Sequence, residues 1–258
     1  MKTSALASGS SGNCFFIESN NSSFLIDAGI SAKQIIERLS LLNKDAKQLN
    51  GIFVTHEHID HIRGIDVLAR KFSIPIYITK KCYDNCQHIT KEPGLINFIK
   101  KDSPLKLNNL TIIPFSKNHD ASDPVSYAIQ EKNKKVSVMT DIGIACNNII
   151  THTKDSNIIY LESNHDLNML ENGRYPIYLK RRIASDNGHL SNYDAALLLL
   201  QHATSNLKHI ILSHLSENNN TEELALKTIK EILSHRKDLK NLNIHLSNRN
   251  SPTKLIST

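Results

Sequence analysis

A chain of 258 residues can bury a full core, as one large α/β domain or two small ones. With 40% hydrophobic and 22% charged residues it has the composition of a globular protein, and no apolar run approaches membrane-spanning length. A net charge of +6 points to a polyanionic partner or to a coding bias toward Lys, while 5% aromatics and no Trp leave few stacking platforms for unpaired bases.

The start, "MKTSALASGS", lacks the continuous apolar stretch of an export signal. Cys14, Cys82, Cys86 and Cys146 form neither a disulfide framework nor a C-x-x-C pair, so a cytoplasmic location with reduced thiols is expected. Short runs rich in Ile, Val, Leu and Phe predict strands at 14–19, 24–29, 51–55, 74–79, 110–115, 125–130, 135–140, 157–162, 209–214 and 243–247. Amphipathic patterns predict helices at 31–42, 61–72, 191–203 and 220–236. The third opens on a Ser191-x-x-Asp194 cap, and the fourth runs from Asn220 and acidic residues to a basic end. Residues 80–109 are the least regular, an insertion or a rim element. Hairpins first and strand–helix alternation after predict sheets sandwiched between helices in a single α/β domain over 1–258.

"VTHEHIDH" (54–61) follows the apolar run "GIFV" and packs three histidines and an aspartate into H-x-H-x-D-H. Histidines at i and i+2 of an extended segment project to one side, so His56 and His58 can grip one ion. Asp60 and His61, where the chain turns into a helix, can face a second. Imidazole and carboxylate without thiolate suit zinc, manganese or iron(II). Four further strand-like runs end near residues of the same kind: His119, Asp141, Glu162 with His165, and His214. Strands fix position while the loops beyond them hold special geometry, so the coincidence marks a site.

This pattern resembles the metallo-β-lactamase superfamily in its binuclear phosphodiesterase branch, and "FLIDAG" (24–29) also resembles that family's strand and aspartate before the metal motif. "LASGSSGN" (6–13), "NHDASDPVSY" (118–127), "ESNHD" (162–166) and "GHLSN" (188–192) are similar to the YycJ (WalJ) type, a group that resembles single-domain DNA-processing nucleases. The resemblance implies a four-layer αββα sandwich and two divalent metal ions, zinc or manganese. It implies His56, His58 and His119 on the first metal, Asp60, His61 and His214 on the second, and Asp141 with a hydroxide between them. Asp60 would also orient that hydroxide, which attacks phosphorus. Glu162 and His189 match, by order and context, a glutamate that orients a protonating histidine in phosphodiesterases that mature tRNA. His189 is then the expected general acid, although the Ser191 cap explains part of "GHLSN" without catalysis. His165 is a phosphate contact, an unusual ligand or a hydrogen-bonded structural histidine.

Ser10, Ser11, Gly12 and Asn13 make a hydroxyl-rich turn that could expose N–H groups to a phosphate or simply close a tight turn. "LKRR" (179–182) is a backbone track for nucleic acid or a solvated helix face. The expected partner is thus a nucleic acid, DNA before RNA, with no membrane and no obligate protein partner readable. The competing function is a thioester or other acyl hydrolase of the glyoxalase-II type. The basic charge and the extra Glu162, His165 and His189 weigh against it.

Overall fold

The structure, a computed structural model, describes residues 1–19, 22–86 and 95–258. Residues 87–94 of the irregular stretch expected at 80–109 lie outside the described residues. In chain order the strands and helices are β1 (Lys2–Ala7), β2 (Cys14–Ser19), β3 (Ser22–Ile26), α1 (Ala32–Leu41), β4 (Gly51–Phe53), α2 (Ile59–Ile62), α3 (Ile65–Phe72), β5 (Ile76–Thr79), α4 (Lys80–Cys86), β6 (Ile96–Ile99), β7 (Leu105–Leu107), β8 (Leu110–Ser116) and β9 (Val125–Glu131). There follow β10 (Lys134–Met139), α5 (Asn147–Asp155), β11 (Ile158–Glu162), α6 (Leu167–Asn172), α7 (Ile177–Ile183), α8 (Asn192–His202), β12 (His209–Ser213), α9 (Glu222–Leu233), β13 (Asn243–Leu246) and β14 (Ile256–Ser257). The chain divides into two compact units. One comprises 1–116, 121–133 and 247–257; the other comprises 117–120 and 134–246, with residue 258.

The first unit holds a seven-stranded sheet ordered β14-β1-β2-β3-β4-β5-β6 and an antiparallel trio, β7-β8-β9. β1, β2 and β3 pair antiparallel, as tight connections allow, and β3 to β6 pair parallel. α1 opens on a capping box in which Ser31 and Gln34 satisfy each other's backbone N–H, and it buries Ile35 and Leu39. Those side chains join Leu6, Phe16, Leu25, Ile52, Ile65 and Leu68 in one buried cluster. β1 falls where the sequence reading saw only the lack of an export signal. Its sequence, "KTSALA", sets Thr and Ser side by side before Ala-Leu-Ala and shows no period-2 alternation.

The helix expected at 61–72 is two helices. Gly64 separates α2 from α3, its N–H donates to Ala28 O at 2.8 Å, and a Cβ there would meet Ile30 O at 2.3 Å. Asp60 and His61 consequently lie inside the one-turn helix α2 rather than in a turn before a longer one.

The second unit is built on four parallel strands, β10-β11-β12-β13. Parallel neighbours need long crossovers, and α5, α6 to α8, and α9 supply them. Ser191 caps α8 as expected, accepting from Asp194 N–H. α9 is capped by Thr221 rather than Asn220, because Asn220 Oδ1 already accepts from Asn192 Nδ2 and Thr221 N–H while its amide donates to Ser163 O and Asn164 O. Among the described residues no helix is long and apolar enough to cross a membrane.

Candidate metal centre

In the first unit the chain leaves β4 at Phe53 and places His56 and His61 fully inside the protein, with His58 and Asp60 half-buried. The His56 ring lies 4.6 Å from that of His58 and 4.0 Å from that of His61. Each buried ring is held by one nitrogen. The Asp27 carboxylate, an acceptor only, takes the Nδ1–H of His61 at 2.7 Å. Thr55 gives its hydroxyl proton to Asp27 at 2.8 Å, so the same oxygen accepts from Nδ1 of His56 at 2.8 Å. Both rings therefore turn a lone pair on Nε2 outward from this web.

Asn13 is wholly buried and donates to Asp60 Oδ2 at 3.4 Å and toward His61 Nε2 at 3.2 Å. Its own carbonyl oxygen accepts from Ser8 Oγ and Gly9 N–H. Of the turn expected to meet a phosphate, Gly12 and Asn13 are thus buried, and Ser10 and Ser11 are exposed. Gly29 has no room for a side chain: a Cβ would sit 1.6 Å from Asp60 O. That close approach fixes the Asp60 backbone against the loop that follows β3 and carries Asp27.

In the second unit the parallel register aligns the strand ends. Met139 pairs with Leu161, and Glu162 pairs with Ser213. Asp141, Glu162 and His214 therefore emerge along one edge of the sheet, where the sequence pattern predicted a site. Asp141 and His214 adopt φ of 55° and 57°, and Asp27 in the first unit adopts 60°. Left-handed backbone at non-glycine residues costs about 1–3 kcal/mol each and concentrates where a side chain must be aimed.

Glu162 is the hub. It is fully buried, and its Oε1 accepts from Nδ1 of His189 and from Nδ1 of His214, each at 2.8 Å. Its Oε2 accepts from Ile142 N–H at 2.6 Å and Leu190 N–H at 3.3 Å. Burial alone would raise this carboxyl. The charge of His189 and the hydrogen bonds from His189 and His214 outweigh it and hold the pKa down at about 2. His119 rests its Nδ1 on Gly188 O at 3.3 Å and is pushed by burial down to about 4, so it is neutral at pH 7. One ligand atom from each of Asp141, Glu162, His189 and His214 lies within 4.8 Å of the others.

His165 is buried beside this group but joins none of these clusters among the described residues, and its Nδ1 has no hydrogen-bond partner. Its backbone is committed to Ser191 by an isolated bridge and accepts from Asn192 N–H at 2.8 Å.

Four histidines, His56, His61, His119 and His214, thus share one device: Nδ1 is tied to a protein acceptor, which orients the ring and its Nε2. Such outer hydrogen bonds fix the tautomer and ring angle of metal-binding imidazoles. The Asp and His clusters on both units fit a divalent metal ion. The sequence reading placed Asp27 only in the family's strand, outside the site, and Thr55 and Asn164 not at all. Asn164 donates to His214 O at 2.9 Å. Asp27 had a signal, an acidic residue closing an apolar strand; Thr55 and Asn164 had none.

Comparison with known proteins agrees with this geometry. A family model described as the metallo-beta-lactamase superfamily matches residues 7–102. Exodeoxyribonuclease YycJ of Bacillus anthracis is 38% identical over 235 residues, 90% of this chain and 89% of that protein. Exodeoxyribonuclease WalJ of Streptococcus pneumoniae is 37% identical over 88% of this chain and 86% of that protein. Among solved structures, the metallo-beta-lactamase fold protein YhfI of Bacillus subtilis superposes with a TM-score of 0.74 over 98% of both chains, at 15% identity. The chain belongs to the metallo-β-lactamase superfamily, in the family of YycJ and WalJ. It is a metal-dependent hydrolase of the α/β sandwich class, two mixed sheets with helices, as the sequence pattern led us to expect.

Proposed function

We propose that this protein is a binuclear phosphodiesterase that cleaves DNA, with His56, His58 and His119 on one cation, Asp60, His61 and His214 on a second, and Asp141 shared. The observation that carries the reading is the Nδ1 device: the chain invests Asp27, Thr55, Gly188 O and Glu162 in aiming four imidazoles. A pair of zinc or manganese ions bound there supplies an activated water and neutralises charge on a phosphoryl group.

The chain's own residues do the rest. Glu162 accepts the Nδ1–H of His189, which fixes the ring and stabilises a second proton on Nε2. From Nε2 that proton can pass to the leaving oxygen of a phosphodiester. An acyl or thioester substrate does not require this pair, so its presence supports phosphoryl transfer over the glyoxalase-II-type reaction. Asp60, which accepts from Asn13 at 3.4 Å, would orient the attacking water or accept its proton. Ser10 and Ser11 are the exposed candidates for a phosphate contact. His165, whose buried Nδ1 has no hydrogen-bond partner, is the candidate for a further phosphate contact beside the group. The names of the YycJ and WalJ relatives favour DNA and an exonuclease, and a cytoplasmic location belongs to the same proposal.

The test is a cleavage assay on end-labelled single- and double-stranded DNA and RNA, with S-lactoylglutathione alongside and zinc and manganese supplied in turn. Shortening of DNA from an end, with no thioester turnover, is expected. Turnover of the thioester alone would overturn the reading.

A further inference from the structure

α7 is unusual within its unit. None of its seven residues, "IYLKRRI", is buried. Ile177 is 68% exposed and Tyr178 is 74% exposed. Helices this short draw their stability from packing an apolar face, and this one half-buries only Leu179 and Ile183 of its apolar residues. It is held by its ends. Ala184 N–H returns to Lys180 O and Arg182 O, and Arg182 Nε lies 2.5 Å from Asp120 Oδ2, next to His119.

The helix is also wired directly to the proposed acid. His189 N–H donates to Ile183 O at 2.9 Å, and Asp120 N–H donates to Asn187 O at 3.0 Å. Gly188 is obligatory in this turn, since a Cβ would sit 2.2 Å from Ile183 O and 2.3 Å from Arg182 O. The fold thus fastens an uncovered helix to the loop that bears His189.

The chemistry of that helix is one-sided: an exposed tyrosine and isoleucine, then Lys180, Arg181 and Arg182, with no acidic residue. Arg182 is engaged with Asp120, and Lys180 reaches Glu171 O with its Nζ, a bond that leaves its charge unneutralised. An aromatic face accepts any unpaired base, and neighbouring cations meet the phosphates that join such bases. In a chain without tryptophan, whose aromatics total 5%, an exposed tyrosine on the same short helix as three cations is a scarce arrangement.

We infer that α7 is a landing ledge for an unpaired strand of nucleic acid, with Tyr178 stacking on a base and Lys180 and Arg181 meeting phosphates on the strand's way to His189. Charge complementarity and the aromatic face select this occupant. A base-paired duplex hides its base faces and would use the cations alone. The inference deepens the proposed phosphodiesterase reading and rests on it for direction, but it is tested by binding.

The experiment measures fluorescence anisotropy of a labelled, phosphorothioate-linked oligodeoxythymidine of about a dozen nucleotides, which resists cleavage, on the metal-loaded full chain. A blunt duplex of equal length serves as the second probe. Tyr178→Ala should weaken single-strand binding about tenfold, and Tyr178→Phe, which keeps the ring, should restore it. The duplex should respond to Tyr178→Ala by less than about twofold. Lys180→Ala with Arg181→Ala should weaken both probes and lower the salt slope by about 1.4 on the single strand and about 1.8 on the duplex. Wild-type binding by Tyr178→Ala, or equal losses on both probes, would overturn the ledge. Turnover of bis-p-nitrophenyl phosphate by the wild type, run separately, tests the phosphodiesterase reading. Its absence together with the predicted binding changes would sink that reading and leave the ledge standing.

Discussion

One carboxylate oxygen of Glu162 lies 2.8 Å from Nδ1 of His189, inside a pocket of backbone that leaves the glutamate no exposure. The same oxygen holds Nδ1 of His214 at 2.8 Å. A single buried acceptor therefore aims the proposed acid and a proposed ligand together. Glu162→Gln keeps the shape but offers an amide where an acceptor is needed. Phosphodiester turnover should fall about 100-fold, with metal content reduced on the same sample. Unchanged metal with lost turnover would confine Glu162 to His189.

His189→Ala separates acid from ligand. Turnover should drop about 100-fold or more while metal content stays near normal. The cluster of Asp141, Glu162, His189 and His214 is close enough to ligate as a group, so loss of one metal equivalent in this variant would move His189 into the ligand shell.

Asp141→Ala should abolish turnover and reduce bound metal together, because it removes the carboxylate proposed to be shared. Mass spectrometry under native conditions reads the loss directly. Retention of two ions per chain would place the shared ligand elsewhere.

Asp27→Asn tests the outer web of the first unit. Its Oδ2 holds His61 and Thr55, and through Thr55 it holds His56. Metal affinity should weaken about 10- to 100-fold, with a smaller change in the turnover of fully loaded enzyme. Competition with a fluorescent zinc chelator measures it. Equal losses in affinity and loaded turnover would give Asp27 a role in the reaction itself.

Much of this site was legible in the sequence because its residues fall where periodic strands stop. H-x-H-x-D-H, Asp141, Glu162 and His214 each follow an apolar run whose end the structure sets within two residues of the expected place. Asp27 was visible in "FLIDAG" but carried no assigned role. The rest depended on contacts that only folding creates. Thr55 and Asn164 are ordinary polar residues until a ring or carbonyl arrives beside them. Asn13 faces inward because its amide has Asp60 and His61 to satisfy, which no turn motif reveals. The split of the helix expected at 61–72 came from the close approach of Gly64 to Ile30, a tertiary demand overriding a continuous amphipathic pattern. β1 escaped notice because its short polar and small side chains carry no periodic signal, whereas the "LKRR" of α7 was read as a nucleic-acid track or a solvated helix face and does lie on a helix with no buried residue.

Acid sensitivity follows from the burial of the same groups. In metal-free protein, burial lowers His119 from 6.5 to about 4, and the His189 and His214 partners overcome burial to lower Glu162 from 4.5 to about 2. Across each window the unfolded chain binds more protons than the folded one, so stability rises with pH. The contribution from His119 is whole above about 6.5 and is lost as pH falls toward 4; that from Glu162 is whole above about 4.5 and is lost toward 2. Calorimetry of chelator-treated protein should find a flat melting temperature above pH 6.5 and a progressive fall below it. His119→Asn should make that slope shallower, the remainder coming from His165, His209 and His245, which burial also lowers. A stability maximum near pH 5 would contradict the assignment.

The central claim is that seven side chains cage two cations, and an anomalous-difference map of crystals reconstituted with zinc or manganese tests it most directly. The account predicts two peaks about 3.5–4 Å apart. One should be ringed by His56, His58 and His119, the other by Asp60, His61 and His214, with Asp141 between them. A single peak bound by His189 in place of those residues, or no peak at full metal loading, would contradict it.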